Sequence, residues 1–130
     1  MREQGDGGRI IVISSEWGVI GWPEATAYAA SKAGLIALVK CLGHELAPEG
    51  IFVNSIAPGV IDTPQLNVDA DAAGIPLAQM HEHYARGIPL GRIGRPEEVA
   101  AAVRFLADPG LRTVVGQTLQ VNGGSTRSRV

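Results

Sequence analysis

The chain has 130 residues, which is enough for one domain but short for two. Its formal net charge of −2 excludes the basic excess that binding to nucleic acid or to an anionic membrane surface requires. No apolar run approaches the roughly 18 residues of a membrane span, and segment 1–9 lacks the apolar centre of a signal peptide. Cys41 is the only cysteine, so no intrachain disulfide can form, and we expect its small side chain in the core. These features predict a soluble, cytoplasmic protein.

The first half of the chain predicts a strand, a loop and a long helix. Residues 10–13 are all β-branched, which predicts a strand buried on both faces. Residues 16–24 contain two glycines and a proline and are typical of a loop. Residues 25–47 are rich in Ala, Leu and Lys and stop at Pro48, which predicts one long helix. The leucines that recur three or four residues apart along it, and predict one buried stripe, are Leu35, Leu38, Leu42 and Leu46.

The second half predicts two more strands separated by a long connection. Residues 51–56 are a strand candidate, ended by Pro58 and Gly59. Residues 62–94 are predicted to be irregular, apart from one short helix over 76–86. A further helix is predicted to start at Pro96, and residues 117–121 form the third strand candidate. Alternation of strands and helices favours an α/β fold with parallel strands.

Three side chains carry possible chemistry. Tyr28 and Lys32 stand four residues apart on the long helix, so both point to the same side. An ammonium near a phenol favours the phenolate and lowers the pKa of the tyrosine, which suits a general acid/base. Ser15 follows the first strand, where α/β folds place groups that face a ligand. Taken alone, each has a plain structural interpretation: a surface Tyr–Lys contact and a turn serine.

Five blocks of sequence, in this order and spacing, together resemble the C-terminal half of a short-chain dehydrogenase/reductase of the classical type. The blocks are GRIIVISS at 8–15, YAASKAG at 28–34, NSIAPGVIDT at 54–63, RIGRPEEVA at 92–100 and GQTLQVNGG at 116–124. The resemblance implies the second half of a Rossmann-like, doubly wound parallel sheet, with three contiguous strands and flanking helices. It also implies an oxidoreductase that moves hydride between NAD or NADP and a small-molecule carbonyl or secondary alcohol.

The resemblance assigns a role to each candidate residue. Tyr28 would exchange the proton with the substrate oxygen, Lys32 would hold the nicotinamide ribose, and Ser15 would orient the reacting oxygen. The cofactor-binding residues that it implies are Tyr28, Lys32, Pro58, Gly59, Val60, Ile61 and Thr63, with Val60 and Ile61 acting through their backbone. Residues 64–89 would form the substrate loop. Glu16, Trp17 and Trp22 are either residues of the pocket mouth or packing residues of the loop.

The chain departs from the family pattern in its cofactor motifs. No Gly-x-x-x-Gly-x-Gly segment follows a strand, the Asn-Asn-Ala-Gly segment is absent, and so is the residue that selects NAD or NADP. Residues 1–130 are therefore predicted to be a single partial domain without the N-terminal dinucleotide-binding half. Met1 takes about the place of an internal methionine of the family.

Two interpretations of the missing half stay open. The chain is the catalytic part of such an oxidoreductase, inactive when isolated, or it is a non-catalytic truncated fragment or one half of a split protein that needs a complementary chain. In either case the first strand would expose an edge that aggregates or recruits a partner. The resemblance implies a homo-oligomer for the full-length family, paired through the long helix and the helix before it; only the long helix, 25–47, is present here.

The remaining polar residues predict no metal site. His44 and Glu45 resemble the start of a zinc helix, but Pro48 stands where the second histidine ligand would be. His81 and His83 are two residues apart and would point to different sides of a helix. Arg127 and Arg129 are expected in a solvated tail.

Overall fold

In a computed structural model, which describes residues 1–126, three strands alternate with five helices. The elements are β1 (Gly8–Ile13), α1 (Trp17–Ile20), α2 (Thr26–Leu46), β2 (Ile51–Pro58), α3 (Gln65–Ala73), α4 (Leu77–Ala85), α5 (Pro96–Ala107) and β3 (Thr118–Val121). A single turn of 3-10 helix (Ala47–Glu49) links α2 to β2. No helix in this part of the chain has the length and apolar character of a membrane span. The expectation for Arg127 and Arg129 lies outside the described residues.

The three strands form one parallel sheet in the order β1-β2-β3. Ile13 pairs with Ile56, and Pro58 pairs with Val121. Because parallel strands run in the same direction, their carboxyl ends meet at one edge of the sheet, where α/β folds place their ligand sites. The predicted fold class and the contiguous strand order are confirmed.

One face of the sheet packs against α2. Val39 of α2 is fully buried against Ile51 and Val53 of β2, and the partly buried side chains around them are Ile10, Val12, Leu42 and Leu46. α5 contacts all three strands and adds no residue to this cluster within the described chain. We therefore assign α5 to the opposite face of the sheet.

The predicted leucine stripe is wrong at one position, and so is the predicted place of the cysteine. Leu38 is 46% exposed and Cys41 is also exposed. The stripe that faces the sheet runs through Val39, Leu42 and Leu46 instead. Leu38 and Cys41 lie on the other flank of α2, which no described element covers, so their side chains face solvent.

The prediction that the first strand is buried on both faces is also wrong. Residues Gly8 to Val12 of β1 are half-buried, and Ile13 is 42% exposed. β1 is the edge strand of the sheet and pairs only with β2 within the described residues. β2, which has a neighbour on each side, is the strand that is buried along most of its length.

Two short helices lie where the sequence predicts irregular chain. α1 occupies part of the predicted loop 16–24, and α3 occupies part of the stretch 62–94. α1 is only four residues long, too short for a hydrophobic period to mark it. α3 buries only Leu66 and Ala70, so its apolar face is narrow. The other helices and the three strands begin and end within a few residues of their predicted bounds.

Candidate active site

A cavity of about 600 Å³ opens at the carboxyl ends of β1 and β2. The structure brings every sequence-predicted site residue to its wall: Ser15, Tyr28, Lys32, Pro58, Gly59, Val60, Ile61 and Thr63. Its volume lies in the range typical of small-molecule sites. Of the three residues proposed for the pocket mouth, Glu16 and Trp17 line the cavity, whereas Trp22 lies behind Trp17.

Ser15 is held at the point where β1 ends. The backbone N–H of Ser14 donates to the carbonyl of Ile56 at 2.7 Å, and the Ser14 hydroxyl donates to the same oxygen at 2.9 Å. These two hydrogen bonds to β2 fix the chain just before Ser15. The Ser15 hydroxyl oxygen accepts the N–H of Trp17 at 3.2 Å, and the residue is 8% exposed. Its own hydroxyl hydrogen therefore remains free to donate into the cavity.

Tyr28 and Lys32 face the cavity from successive turns of α2. The Lys32 ammonium lies 5.5 Å from the centre of the Tyr28 ring, within the range of a cation–π contact. The same ammonium donates to the carbonyl oxygen of Ile13 at 3.2 Å, which holds it at the end of β1. Tyr28 is 46% exposed, so its phenol is open to a ligand.

The turn after β2 is fixed by two neighbouring segments. The N–H of Gly59 donates to the carbonyl of Val121 at 3.0 Å, and a Cβ on Gly59 would lie only 2.8 Å from the Cβ of Asn122. Gly94 donates to the carbonyl of Val60 at 2.9 Å and accepts the N–H of Asp62 at the same distance. Only glycine therefore allows the backbone at position 59 to approach the end of β3 so closely.

Ile61 lines the cavity and keeps an unpaired backbone N–H among residues 1–126. It forms an isolated parallel bridge with Gly94, in which the bonds are made by Val60 and Asp62 on either side of it. The N–H of Ile61 has no partner among residues 1–126. Together with the Lys32 ammonium and the Thr63 hydroxyl, it forms a donor set that fits the carboxamide and ribose oxygens of a nicotinamide nucleotide. The nicotinamide end of such a cofactor therefore fits the residues present.

Glu16, which the sequence placed either at the pocket mouth or in the packing of the loop, is a buried carboxylate. It is 5% exposed, and its N–H donates to the carbonyl of Pro58 at 3.0 Å. One carboxylate oxygen accepts from the Asn122 amide at 3.3 Å and from the Ser125 hydroxyl. Glu16 therefore ties the end of β1 to the loop after β3. No sequence signal marks this contact, because Asn122 and Ser125 lie 106 and 109 residues after Glu16 in the chain.

Helices α3 and α4 supply part of the cavity wall; the sequence predicted the second of these helices but not the first. Asp69 accepts from Gln65 at 3.0 Å and from the Tyr84 hydroxyl at 3.2 Å, and these residues line the cavity together with Leu66. Burial raises the pKa of Tyr84 above its ordinary value, and the Asp69 carboxylate raises it further.

The part of the chain that the structure describes contains no cluster of side chains that could hold a metal ion. No group of three or more His, Cys, Asp or Glu side chains converges within residues 1–126. His81 instead lies 3.3 Å from a carboxylate oxygen of Asp62, which joins α4 to the turn after β2.

Comparison with known proteins identifies the family. A family model described as "Enoyl-(Acyl carrier protein) reductase" matches residues 1–126. The solved structure of a short chain dehydrogenase family protein from Francisella tularensis superposes with a TM-score of 0.86, at 29% identity, over 92% of this chain and 51% of that one. The chain belongs to the short-chain dehydrogenase/reductase family.

Curated members of this family are similar over nearly the whole chain. The 3-oxoacyl-[acyl-carrier-protein] reductase FabG of Chlamydia trachomatis is 44% identical over 117 residues, which are 90% of this chain and 44% of that protein. The FabG of Rickettsia prowazekii is 47% identical over 120 residues, or 90% of this chain and 46% of that protein. The chain thus spans about half the length of the curated relatives that it matches.

One similar short-chain dehydrogenase/reductase structure contains a cofactor. A structure described as "ElxO with NADP Bound" superposes with a TM-score of 0.84 at 30% identity, over 96% of this chain and 48% of that one. The half of the fold present here is thus shared with a protein that holds this dinucleotide.

Proposed function

We propose that this chain carries the proton-transfer and nicotinamide-binding half of an NAD(P)(H)-dependent oxidoreductase that acts on a carbonyl or a secondary alcohol. One observation carries the proposal: in a member of this family, Ser15, Tyr28 and Lys32 meet at one cavity, which Ile61 and Thr63 also line. A hydrogen-bond donor, a proton donor and a cation around one open space are what carbonyl reduction needs.

The proposed roles follow from the contacts. A bound nicotinamide nucleotide supplies or accepts the hydride. The Tyr28 hydroxyl gives its proton to the substrate oxygen in reduction and takes it back in oxidation. The Lys32 ammonium, 5.5 Å from the Tyr28 ring, stabilises the negative charge that develops on the phenol oxygen. The free hydroxyl hydrogen of Ser15 binds the substrate oxygen and orients it.

NADP is the dinucleotide that the comparisons favour. The support is the superposition on ElxO, whose structure is described with NADP bound. Residues 1–126 fit the nicotinamide end through Lys32, Ile61 and Thr63. The turn that would hold the pyrophosphate belongs to the half of the fold that these residues do not supply.

A complementary segment is part of this proposal. It would place a strand against the open edge of β1 and supply the phosphate-binding turn, either in the same polypeptide or as a second chain. Three or four hydrogen bonds of about 1 kcal/mol each do not exceed an association cost of at least about 4 kcal/mol. We therefore expect residues 1–130 alone to bind no dinucleotide measurably. Pairing of copies through α2 stays a prediction.

The test completes the domain and then removes the proton donor. Residues 1–130 are joined to the first half of the Chlamydia trachomatis FabG, and NADPH binding is followed by fluorescence titration. The completed protein is expected to bind NADPH saturably and to reduce ketones. Tyr28→Phe should lower kcat by about two to four orders of magnitude and leave the Kd for NADPH nearly unchanged, because Lys32 remains.

Two results contradict the proposal. Turnover that survives Tyr28→Phe would remove Tyr28 from the proton transfer. A completed protein that binds NADPH and turns over no ketone would favour the non-catalytic alternative. Saturable NADPH binding by the unjoined chain would show that the half-site is stronger than its hydrogen bonds suggest.

A further inference from the structure

An aromatic cluster stands beside the proposed proton donor. The rings of Trp17 and Trp22 stack with their centres 5.4 Å apart and their planes within 3°. Trp17 also meets Tyr28 edge to face, at 5.9 Å and 85°. Trp17 and Tyr28 both line the cavity, whereas Trp22 supports Trp17 from behind and is 53% exposed.

The close packing of α1 on α2 at Gly18 determines where the aromatic cluster lies. A Cβ on Gly18 would lie 2.7 Å from the backbone carbonyl carbon of Lys32, so α1 touches the backbone of α2 at this point. The contact sets Trp17 next to the turn of α2 that carries Tyr28 and Lys32. The position of the indole is therefore built into helix packing rather than left to a free loop.

The cavity wall also contains apolar groups from α3 and α4. They are the Tyr84 ring and the side chain of Leu66, which is 3% exposed. The Asp69 carboxylate between them is already paired with Gln65 and with the Tyr84 hydroxyl. Because that charge is satisfied inside the protein, it does not require a polar group on the ligand.

We propose that the substrate is a ketone or secondary alcohol that carries an aryl group, and that Trp17 selects it. The inference rests on the proposed function, since Tyr28 and Ser15 fix the reacting oxygen. With the oxygen held there, the larger substituent lies against Trp17 and the apolar groups of α3 and α4. Stacking on the indole adds to simple burial and favours an aryl over a saturated ring by about three- to tenfold.

The two tryptophans allow this to be measured by binding alone. The chain contains only these two, so each indole N–H signal in a nitrogen-15 NMR spectrum reports on the cluster. Residues 1–130, at a concentration where light scattering shows no association, are titrated with benzylacetone and with its cyclohexyl analogue, which differ only in the unsaturation of the ring. The wild type is expected to bind benzylacetone about three- to tenfold more tightly. Trp17→Leu should abolish the difference, and Trp17→Phe should keep it.

Folding is checked by the dispersion of the backbone amide signals. Trp17→Met, which fills similar space without a ring, replaces the leucine variant if that one does not fold. Equal binding of the two ketones, no signal change with either, or a preference that survives Trp17→Leu or Trp17→Met overturns the inference. Tyr28→Phe should leave the preference intact, so a failure of the proposed proton transfer is distinguishable from a failure of the aryl selection.

Discussion

Two tyrosines line the same cavity, and their neighbours give them different chemistry. The Tyr28 ring lies 5.5 Å from the Lys32 ammonium, whereas the Tyr84 hydroxyl donates to the Asp69 carboxylate at 3.2 Å. The Asp69 carboxylate opposes negative charge on the phenol oxygen of Tyr84. Burial and the carboxylate raise the pKa of Tyr84, so this residue stays a hydrogen-bond donor. Of the two, Tyr28 is the one that we propose as the proton donor.

Two helical glycines make the packing of α1 testable. A Cβ on Gly18 would lie 2.7 Å from the α2 backbone, whereas a Cβ on Gly34 would meet nothing within 4 Å. Gly18→Ala is expected to lower the free energy of unfolding by about 1–3 kcal/mol, because the backbones must separate. Gly34→Ala, the matched control, should raise it by about 0.5–1 kcal/mol through helix propensity. Urea unfolding followed by tryptophan emission measures both; equal stabilities would mean that α1 does not rest on α2.

Residues of the site were predictable from sequence where the signal is local. Tyr28 and Lys32 are one helical turn apart, and Ser15 follows an apolar run directly. These short spacings made them candidates, and the resemblance to the family assigned their roles. Glu16 and Asp69 carry no such signal. Glu16 depends on a contact 106 residues away, and Asp69 depends on Tyr84, 15 residues away on another helix. Such pairs become visible only when the tertiary structure brings them together.

The start of α5 links a helix cap to the cavity. The Glu98 carboxylate accepts from the Arg92 guanidinium at 2.6 and 2.8 Å and from the Arg95 N–H at 2.8 Å. The Arg92 guanidinium first, and then the Arg95 N–H, lower the pKa of Glu98 to about 2. The intervening Gly94 bonds the turn at Val60, so the cap also steadies the nicotinamide side of the cavity.

This cap predicts a loss of stability in acid. The pKa of Glu98 is about 2 in the folded chain against 4.5 without these partners, so its contribution is present above about pH 4.5 and is lost as the pH falls towards 2. Glu98→Gln should lower Tm at pH 7 and flatten the dependence of Tm on pH between 4.5 and 2. Glu97→Gln, one residue earlier in the same turn, is the control. Thermal unfolding by circular dichroism measures both, and an unchanged pH dependence in Glu98→Gln would contradict the cap.

At the level of elements, helices with a clear N-terminal sequence signal were predictable, and helices without one were not. α5 begins with Pro96 followed by two acids, and α4 follows Pro76, so both have a clear N-terminal signal. α1 has only four residues and α3 buries only two, so neither shows a clear helical pattern of apolar residues. The exposure of β1 was missed for another reason: its composition suits a central strand, but burial depends on which neighbours are present.

At the scale of the whole molecule, the main feature is the open edge of β1, whose outward backbone groups have no partner strand among the described residues. The N–H of Gly8 donates to the carbonyl of Gly50, just before β2, and the N–H of Ser14 donates to the carbonyl of Ile56 in β2. Because successive residues of a strand bond to alternate sides, the N–H of Val12 also faces β2, whereas that of Ile11 faces the open edge. The Ile13 carbonyl, on the open side, is met by the Lys32 ammonium. Unpaired donors and acceptors in such a row are a template for another strand.

We therefore expect the isolated chain to associate through this edge. Ile11→Pro removes an outward N–H and leaves the bonds to β2 intact, so it should shift the chain towards monomer with little change in circular dichroism. Val12→Pro, the matched control, removes a bond to β2 and should unfold the sheet, because the half-fold has only three strands to share the loss. Sedimentation velocity and light scattering measure both. A wild-type chain that is a monodisperse monomer with a sharp thermal transition would show that the half-sheet is sufficient by itself, and a proline at position 11 would then change nothing in its association.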